Sequence, residues 1–253
     1  AIKESFGFSR KTNDEIVELG LSPHVCMGNS SSGWNIINLL KTKGGTIMKQ
    51  LFLCSYFAGV KNLFSDYVKE KNLEKKALFI PTAGNKEDYT AYIDEAQQTF
   101  RDLGFEIEVL DIASCDRETA QAKIFQSKIL YVSGGNTFYL LQELKKKQLP
   151  SLIKEQIRDG LVYVGESAGA IITAKDIDYN KLMDDKTVAT ELYDTAGLDE
   201  VDFYILPHYG EEPFADSSKK TFEMYKKQLE LLPLHNHQAI IVNYEQIDIL
   251  TIE

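Results

Sequence analysis

The run Gly165-Glu166-Ser167-Ala168-Gly169-Ala170 sets a serine between two glycines, directly after the apolar stretch Leu161 to Val164. This is the G-x-S-x-G pattern of a nucleophile elbow, in which a serine stands on a tight strand-to-helix turn with its Oγ exposed at a sheet edge. The small neighbours leave room for a strained backbone and for close helix packing. The first N–H groups of the following helix also point to where an oxyanion would develop. The chemistry implied is acyl transfer through a covalent serine intermediate.

A serine hydroxyl is a weak nucleophile at neutral pH and needs a neighbouring base. Of four histidines, His24 lies in the N-terminal stretch, while His235 and His237 sit in a Pro-Leu-His-Asn-His-Gln segment just before a strand. His208, preceded by Pro207 and followed by Tyr209-Gly210, ends an apolar strand and should emerge at a strand's carboxyl edge as the serine does. It is the preferred base. A third group should fix the imidazole tautomer and stabilise the imidazolium. Asp184 and Asp185, after Met183, lie far enough beyond the elbow for the chain to return to the site, and the residues alone do not separate them. A second informative stretch, Tyr131 to Phe138, runs from a strand into Gly134-Gly135 and then a helix capped by Asn136 or Thr137. Backbone N–H groups of that diglycine could complete an oxyanion hole.

These residues need a scaffold that brings strand ends to one edge. From Met48 onward strand and helix signals alternate: apolar strands at 51–54, 77–80, 105–110, 129–132 and 161–164 are separated by helical patterns at 60–70, 89–103, 117–125, 137–147 and 152–159. A strand at 203–206, a helix over 214–231 and closing strands at 239–243 and 247–252 follow. The pattern predicts an α/β fold with a mainly parallel sheet and helices on both faces, where ligands bind at the carboxyl ends of strands. Residues 1–47, with five basic and four acidic residues, Asn29-Ser30-Ser31-Ser32-Gly33 and a Lys43-Gly44-Gly45 break, read as a linker-like extension with a helical piece near 35–40. Residues 48–253 then form a single domain.

Composition narrows the function. The 253 residues are 43% apolar and 26% charged, as in an ordinary globular protein. The net charge of -10 argues against nucleic-acid and anionic-membrane partners. Neither a membrane-spanning run nor a signal-peptide core is seen, and Cys26, Cys54 and Cys115 form no C-x-x-C pair, so a reducing cytoplasm is expected. A homodimer is compatible with the sequence.

Together, Gly134-Gly135-Asn136-Thr137-Phe138, the Gly165 to Ala170 elbow and Pro207-His208-Tyr209 closely resemble the dipeptidase E family of serine peptidases, the aspartyl dipeptidases, to which cyanophycinase is related. The resemblance spans about Met48 to Glu253. It implies a flavodoxin-like sheet similar to class I glutamine amidotransferases, and a serine peptidase that needs no metal or cofactor. The expected reaction is release of an N-terminal residue, aspartate by default, from a short peptide. Carried over by motif, Ser167 is the nucleophile, His208 the general base, and Ala168 with Gly134 or Gly135 the oxyanion donors. The family's acidic third member falls between serine and histidine, which favours Asp184 or Asp185.

Two features depart from the family. Glu166 replaces a bulky aromatic, and Glu211 and Glu212 follow the histidine. Asn136, Thr137 and Glu166 are candidate substrate contacts. The carboxylates are expected either to bind the substrate α-amino group or to shift preference toward neutral or basic first residues, with Lys219 and Lys220 as the cations available to an acidic one. The competing readings are an α/β-hydrolase-type esterase, with His235 or His237 as base, and a non-catalytic binding protein on the same scaffold. His235-x-His237 is only a lone pair of potential metal ligands, without a surrounding carboxylate cluster.

Overall fold

The computed structural model describes residues 8–10 and 49–252. In chain order the strands are β1 (Phe8–Arg10), β2 (Gln50–Cys54), β3 (Lys76–Ile80), β4 (Glu106–Val109), β5 (Ile129–Val132) and β6 (Val162–Glu166), then β7 (Tyr204–Leu206), β8 (Leu231–Pro233), β9 (Gln238–Asn243) and β10 (Gln246–Ile252). The helices are α1 (Lys61–Lys71), α2 (Ala91–Asp102), α3 (Arg117–Gln126), α4 (Thr137–Lys146), α5 (Pro150–Arg158), α6 (Ala168–Ile171) and α7 (Ala215–Tyr225). Apart from β1, the extension expected over 1–47 and its helical piece lie outside the described residues.

The main sheet has the order β1-β10-β9-β2-β6-β5-β3-β4. Strands β2, β6, β5, β3 and β4 are mutually parallel, and β9, β10 and β1 extend the β2 side by antiparallel pairing. This is the α/β architecture that the alternating sequence pattern predicts. The core strands are apolar without interruption because successive side chains enter two different cores. Leu51, Leu53, Leu78, Ile80, Leu130 and Val132 face α3, α4, α5 and α6. Phe52, Phe79, Tyr131 and Val164 face α1 and α2. On the second side an aromatic cluster packs Phe57, Phe64, Phe79, Phe100 and Tyr131, with ring centroids 4.5–6.1 Å apart. Each such buried ring contributes on the order of 2–3 kcal/mol by area alone. The cluster anchors β5 and the segment after β2, both of which end beside Ser167.

Three elements differ from the sequence expectation: β1, inside the stretch read as a linker-like extension, pairs with β10, and β7 and β8 leave the single expected sheet. The helix expected over 214–231 stops at Tyr225, and Leu231–Pro233 instead forms β8, parallel to β7 in a separate two-stranded sheet. The apolar Leu231 and Leu232 are buried there. Parallel pairing has a consequence for the site: both strands end at the same edge, so the segments after Leu206 and after Pro233 run side by side. Among the described residues, no helix is long and apolar enough to cross a membrane.

Candidate active site

Ser167 follows β6, which lies between β2 and β5 in the middle of the sheet. Its backbone has φ 46° and ψ −105°, a strained conformation for a residue other than glycine, and its N–H is held by the Cys54 carbonyl at 2.9 Å. The flanking glycines make the turn sterically allowed. A Cβ at Gly165 would meet the Gly169 carbonyl oxygen at 2.6 Å, and one at Gly169 would meet the Val132 carbonyl oxygen at 2.1 Å. Helix α6 can therefore start against β5 only because neither position carries a side chain.

His208, also at positive φ (54°), brings Nε2 to 3.0 Å from Ser167 Oγ. Its Nδ1 donates to Asn236 Oδ1 at 2.7 Å, which leaves the Nε2 lone pair facing the serine hydroxyl. The ring stacks on Phe214 with centroids 4.9 Å apart. Burial lowers the imidazole pKa below its usual value, partly offset by the Asn236 bond and the nearby Glu211 carboxylate. Ser55, fully buried, ties the two loops together: its hydroxyl donates to the Leu234 carbonyl at 2.8 Å and accepts the His208 N–H at 3.2 Å. The Leu234 carbonyl in turn takes the Tyr209 N–H.

The structure brings neither Asp184 nor Asp185 to His208. Asp184 Oδ2 accepts the Thr137 N–H and the Asn180 side-chain amide, both at 2.8 Å, at the start of α4. Burial pushes its carboxyl up to about 6 against those hydrogen bonds. Asp185 Oδ1 caps the short turn Lys186–Val188 through Thr187, whose bonds hold the carboxyl below its usual value. Both carboxylates serve local backbone, and Asn236, 28 residues beyond the histidine, takes the place expected of one of them. Asn236 carried a weak sequence signal, the Pro-Leu-His-Asn-His segment before β9, but the pairing of β7 with β8 is what moves it beside His208. Ser55 carried none.

The other expected contacts also shift. Asn136 caps α4, accepting the Tyr139 N–H at 3.0 Å and donating to the Asp185 carbonyl, and Thr137 is fully buried beside Asn180. Both side chains are committed to structure rather than turned toward a substrate. Glu166 is 2% exposed, and its oxygens are taken by the Phe57 N–H and the Tyr131 hydroxyl rather than turned toward a substrate. The Gly134 N–H faces Glu166 Oε2 at 3.5 Å, whereas the N–H groups of Gly135 and Ala168 find no backbone acceptor among the described residues. At Gly135, φ is 126° and a Cβ would overlap the Ala83 carbonyl carbon at 2.3 Å, so only glycine fits that turn.

His235 and His237 stack on one another with centroids 5.6 Å apart, and His235 Nδ1 lies 3.5 Å from Glu211 Oε1. His208, not either of these, is the histidine on the serine, as the esterase arrangement would not have it. No cluster of three or more His, Cys, Asp or Glu side chains among the described residues is arranged to hold a metal ion.

Comparison with known proteins places this geometry in context. The family model described as Peptidase family S51 matches residues 51–250. An uncharacterized peptidase of Pasteurella multocida is 44% identical over 199 residues, covering 78% of this chain and 95% of the relative. Peptidase E of a Nostoc species is 28% identical over 211 residues, covering 81% and 83%. A crystal structure of a candidate peptidase E protein from Listeria monocytogenes EGD-e superposes with a TM-score of 0.77 at 38% identity, covering 81% of this chain and all of that one.

Proposed function

The chain belongs to peptidase family S51 and is a serine-type peptidase, and from that premise we propose that it hydrolyses short peptides, as a dipeptidase, with Ser167 as nucleophile and His208 as general base. The observation that carries this reading is the 3.0 Å contact between Ser167 Oγ and His208 Nε2 at a positive-φ elbow. Nε2 takes the Oγ proton as Oγ attacks the scissile carbonyl, and the oxygen of the tetrahedral intermediate is held by the N–H groups of Ala168 and Gly135. The imidazolium then gives its proton to the departing amine. Water, deprotonated by the same imidazole, releases the acyl group. A dipeptide panel assayed with and without a serine-directed fluorophosphonate, followed by mass mapping, tests the reading: label on Ser167 with parallel loss of activity is expected, and label elsewhere or activity that survives labelling overturns it.

In this reading Asn236 orients the imidazole as a neutral acceptor. Asn236→Ala should lower kcat by about 10- to 100-fold, the loss expected for one hydrogen bond to a group that becomes charged. Asn236→Asp should retain activity but raise the acid limb of its pH profile by about 1–3 units, since a carboxylate at that distance favours the imidazolium. Asp185→Asn should leave kcat near the wild-type value. A large loss from Asp185→Asn together with a silent Asn236→Ala would return the orienting role to the acidic segment.

The cleft bears on the first residue of the substrate. Glu211 acts electrostatically on His208, and Tyr92, whose ring edge lies 3.5 Å from where a Gly134 Cβ would stand, feels both Glu87 and Asp184. Arg101, Arg117 and Arg158 sit on α2, α3 and α5, and none of them is among the groups that act on the His208 imidazole. The preferred first residue is therefore neutral or basic, with kcat/KM for Ala-Leu exceeding that for Asp-Leu by about tenfold or more. Preference for Asp-Leu would instead give the part of counter-ion to Lys219, whose side chain lies beside Gly210.

A further inference from the structure

Glu166 is a buried carboxyl group directly preceding Ser167, and the proposed reaction leaves it unused. Three donors from separate segments converge on its two oxygens. The Phe57 N–H, from the segment after β2, reaches Oε1 at 2.7 Å. The Tyr131 hydroxyl, from β5, donates to Oε2, and the Gly134 N–H, from the diglycine turn, approaches the same oxygen at 3.5 Å. The titratable groups that face it are Cys54 on β2, Tyr131 on β5, Tyr56 on the segment after β2, and Tyr92 and Glu95 on α2, none of them a cation. A buried carboxylate with no counter-ion is costly to keep and is held only by such donors.

The donors define what the group must be. Two of the three are backbone N–H groups, which cannot turn round to accept. A carboxylate, an acceptor at every lone pair, satisfies all three, whereas a neutral acid must spend its proton on Tyr131 and leaves that hydroxyl's own hydrogen without its acceptor. Gly134 packs close to the nucleophile, 3.3 Å separating Ser167 Cβ from the position of a Gly134 Cβ. The next peptide carries the Gly135 N–H.

We propose that Glu166 is a positioning residue whose carboxylate, by holding Phe57, Tyr131 and Gly134 at once, aims the Gly135 N–H at the oxygen of the tetrahedral intermediate and so acts on kcat rather than on substrate affinity. The inference rests on the serine reading above. Burial pushes the Glu166 carboxyl up to about 7, against the pull of the three hydrogen bonds, so the grip is lost on acidification through about 7.

The test is Glu166→Gln, assayed on Ala-Leu across pH 5 to 9. Glutamine keeps the shape and one acceptor but sets an NH₂ group against the Gly134 N–H. At pH 8 kcat should fall by about 10- to 100-fold, with KM within about twofold of wild type. His208 titrates in both proteins, so the ratio of their kcat values isolates Glu166: it should fall toward one as the pH drops through about 7. A merely structural role would leave that ratio independent of pH. An unchanged kcat, an effect confined to KM, or a flat ratio overturns the proposal. If Glu166→Gln fails to fold, Tyr131→Phe keeps the carboxylate but removes one donor, and should move the wild-type acid limb upward; an unmoved limb overturns the proposal as well. Fluorophosphonate labelling of Ser167 in each variant separates the two readings. Label on Ser167 with a flat ratio sinks the role of Glu166 alone, and turnover by Ser167→Ala sinks the serine reading itself.

Discussion

Ser167→Ala is expected to lower kcat for dipeptide hydrolysis by on the order of 10⁶ while the protein stays folded. In the proposed reaction the side chain performs the attack, and the only hydrogen bond its hydroxyl makes among the described residues is the one to His208. Alanine keeps the Cβ, so the strain of the elbow at φ 46° is the same before and after the change. Stability should therefore move by about 1 kcal/mol or less. Thermal melting alongside an Ala-Leu assay checks both halves of this expectation. Wild-type-like turnover in a preparation free of other peptidases would remove Ser167 from the mechanism.

His208→Ala should cost a similar factor, because a nucleophile and its base act as one unit and removing either leaves only the contributions of binding and the oxyanion donors. His235→Ala and His237→Ala should stay within a few-fold of wild type, since these rings face each other and Glu211 rather than the serine. The base must be neutral, and burial lowers the His208 pKa. In the Glu166→Gln protein, which lacks that carboxyl, the acid limb of kcat/KM should lie below about 6.5, the ordinary histidine value. The same shift sets a stability term. The unfolded chain binds the proton more readily than the folded one, so His208 lowers stability as the pH falls through and below about 6.5, and His208→Ala should flatten that part of the profile. An essential His235 with a dispensable His208 would favour the esterase arrangement.

Local pattern was enough for much of this protein. The alternation of apolar strands and amphipathic helices from Leu51 to Val164 reports a sheet covered on both faces, because each strand must be apolar on both sides to be buried so. The Ser167 turn was legible for a steric reason: a Cβ at Gly169 or Gly165 would come within 2.1 and 2.6 Å of carbonyl oxygens, so the turn writes itself into composition. His208 was legible as a histidine closing a buried apolar strand, although that strand, β7, belongs to the separate two-stranded sheet and not to the main sheet that carries Ser167.

What depended on contacts between distant segments was not legible. Asp184 and Asp185 satisfy the chain order of a triad, yet their oxygens go to Thr137, Asn180 and Thr187, whose unpaired N–H and hydroxyl groups lie closer. Asn236 reaches His208 because β8 forms at the end of the stretch expected as a helix and pairs in parallel with β7. Glu166 reads as a charge beside a cleft, but it closes β6 just before the Ser167 turn and points to the buried side, where the Phe57 N–H and the Tyr131 hydroxyl reach it. Residue type and spacing determined that a serine and a histidine would meet at the edge of a parallel sheet. Which group holds the imidazole, and whether a neighbouring carboxylate faces substrate or core, was decided by the tertiary structure, because hydrogen-bond donors and acceptors find their partners by distance in space and sequence order does not encode that distance.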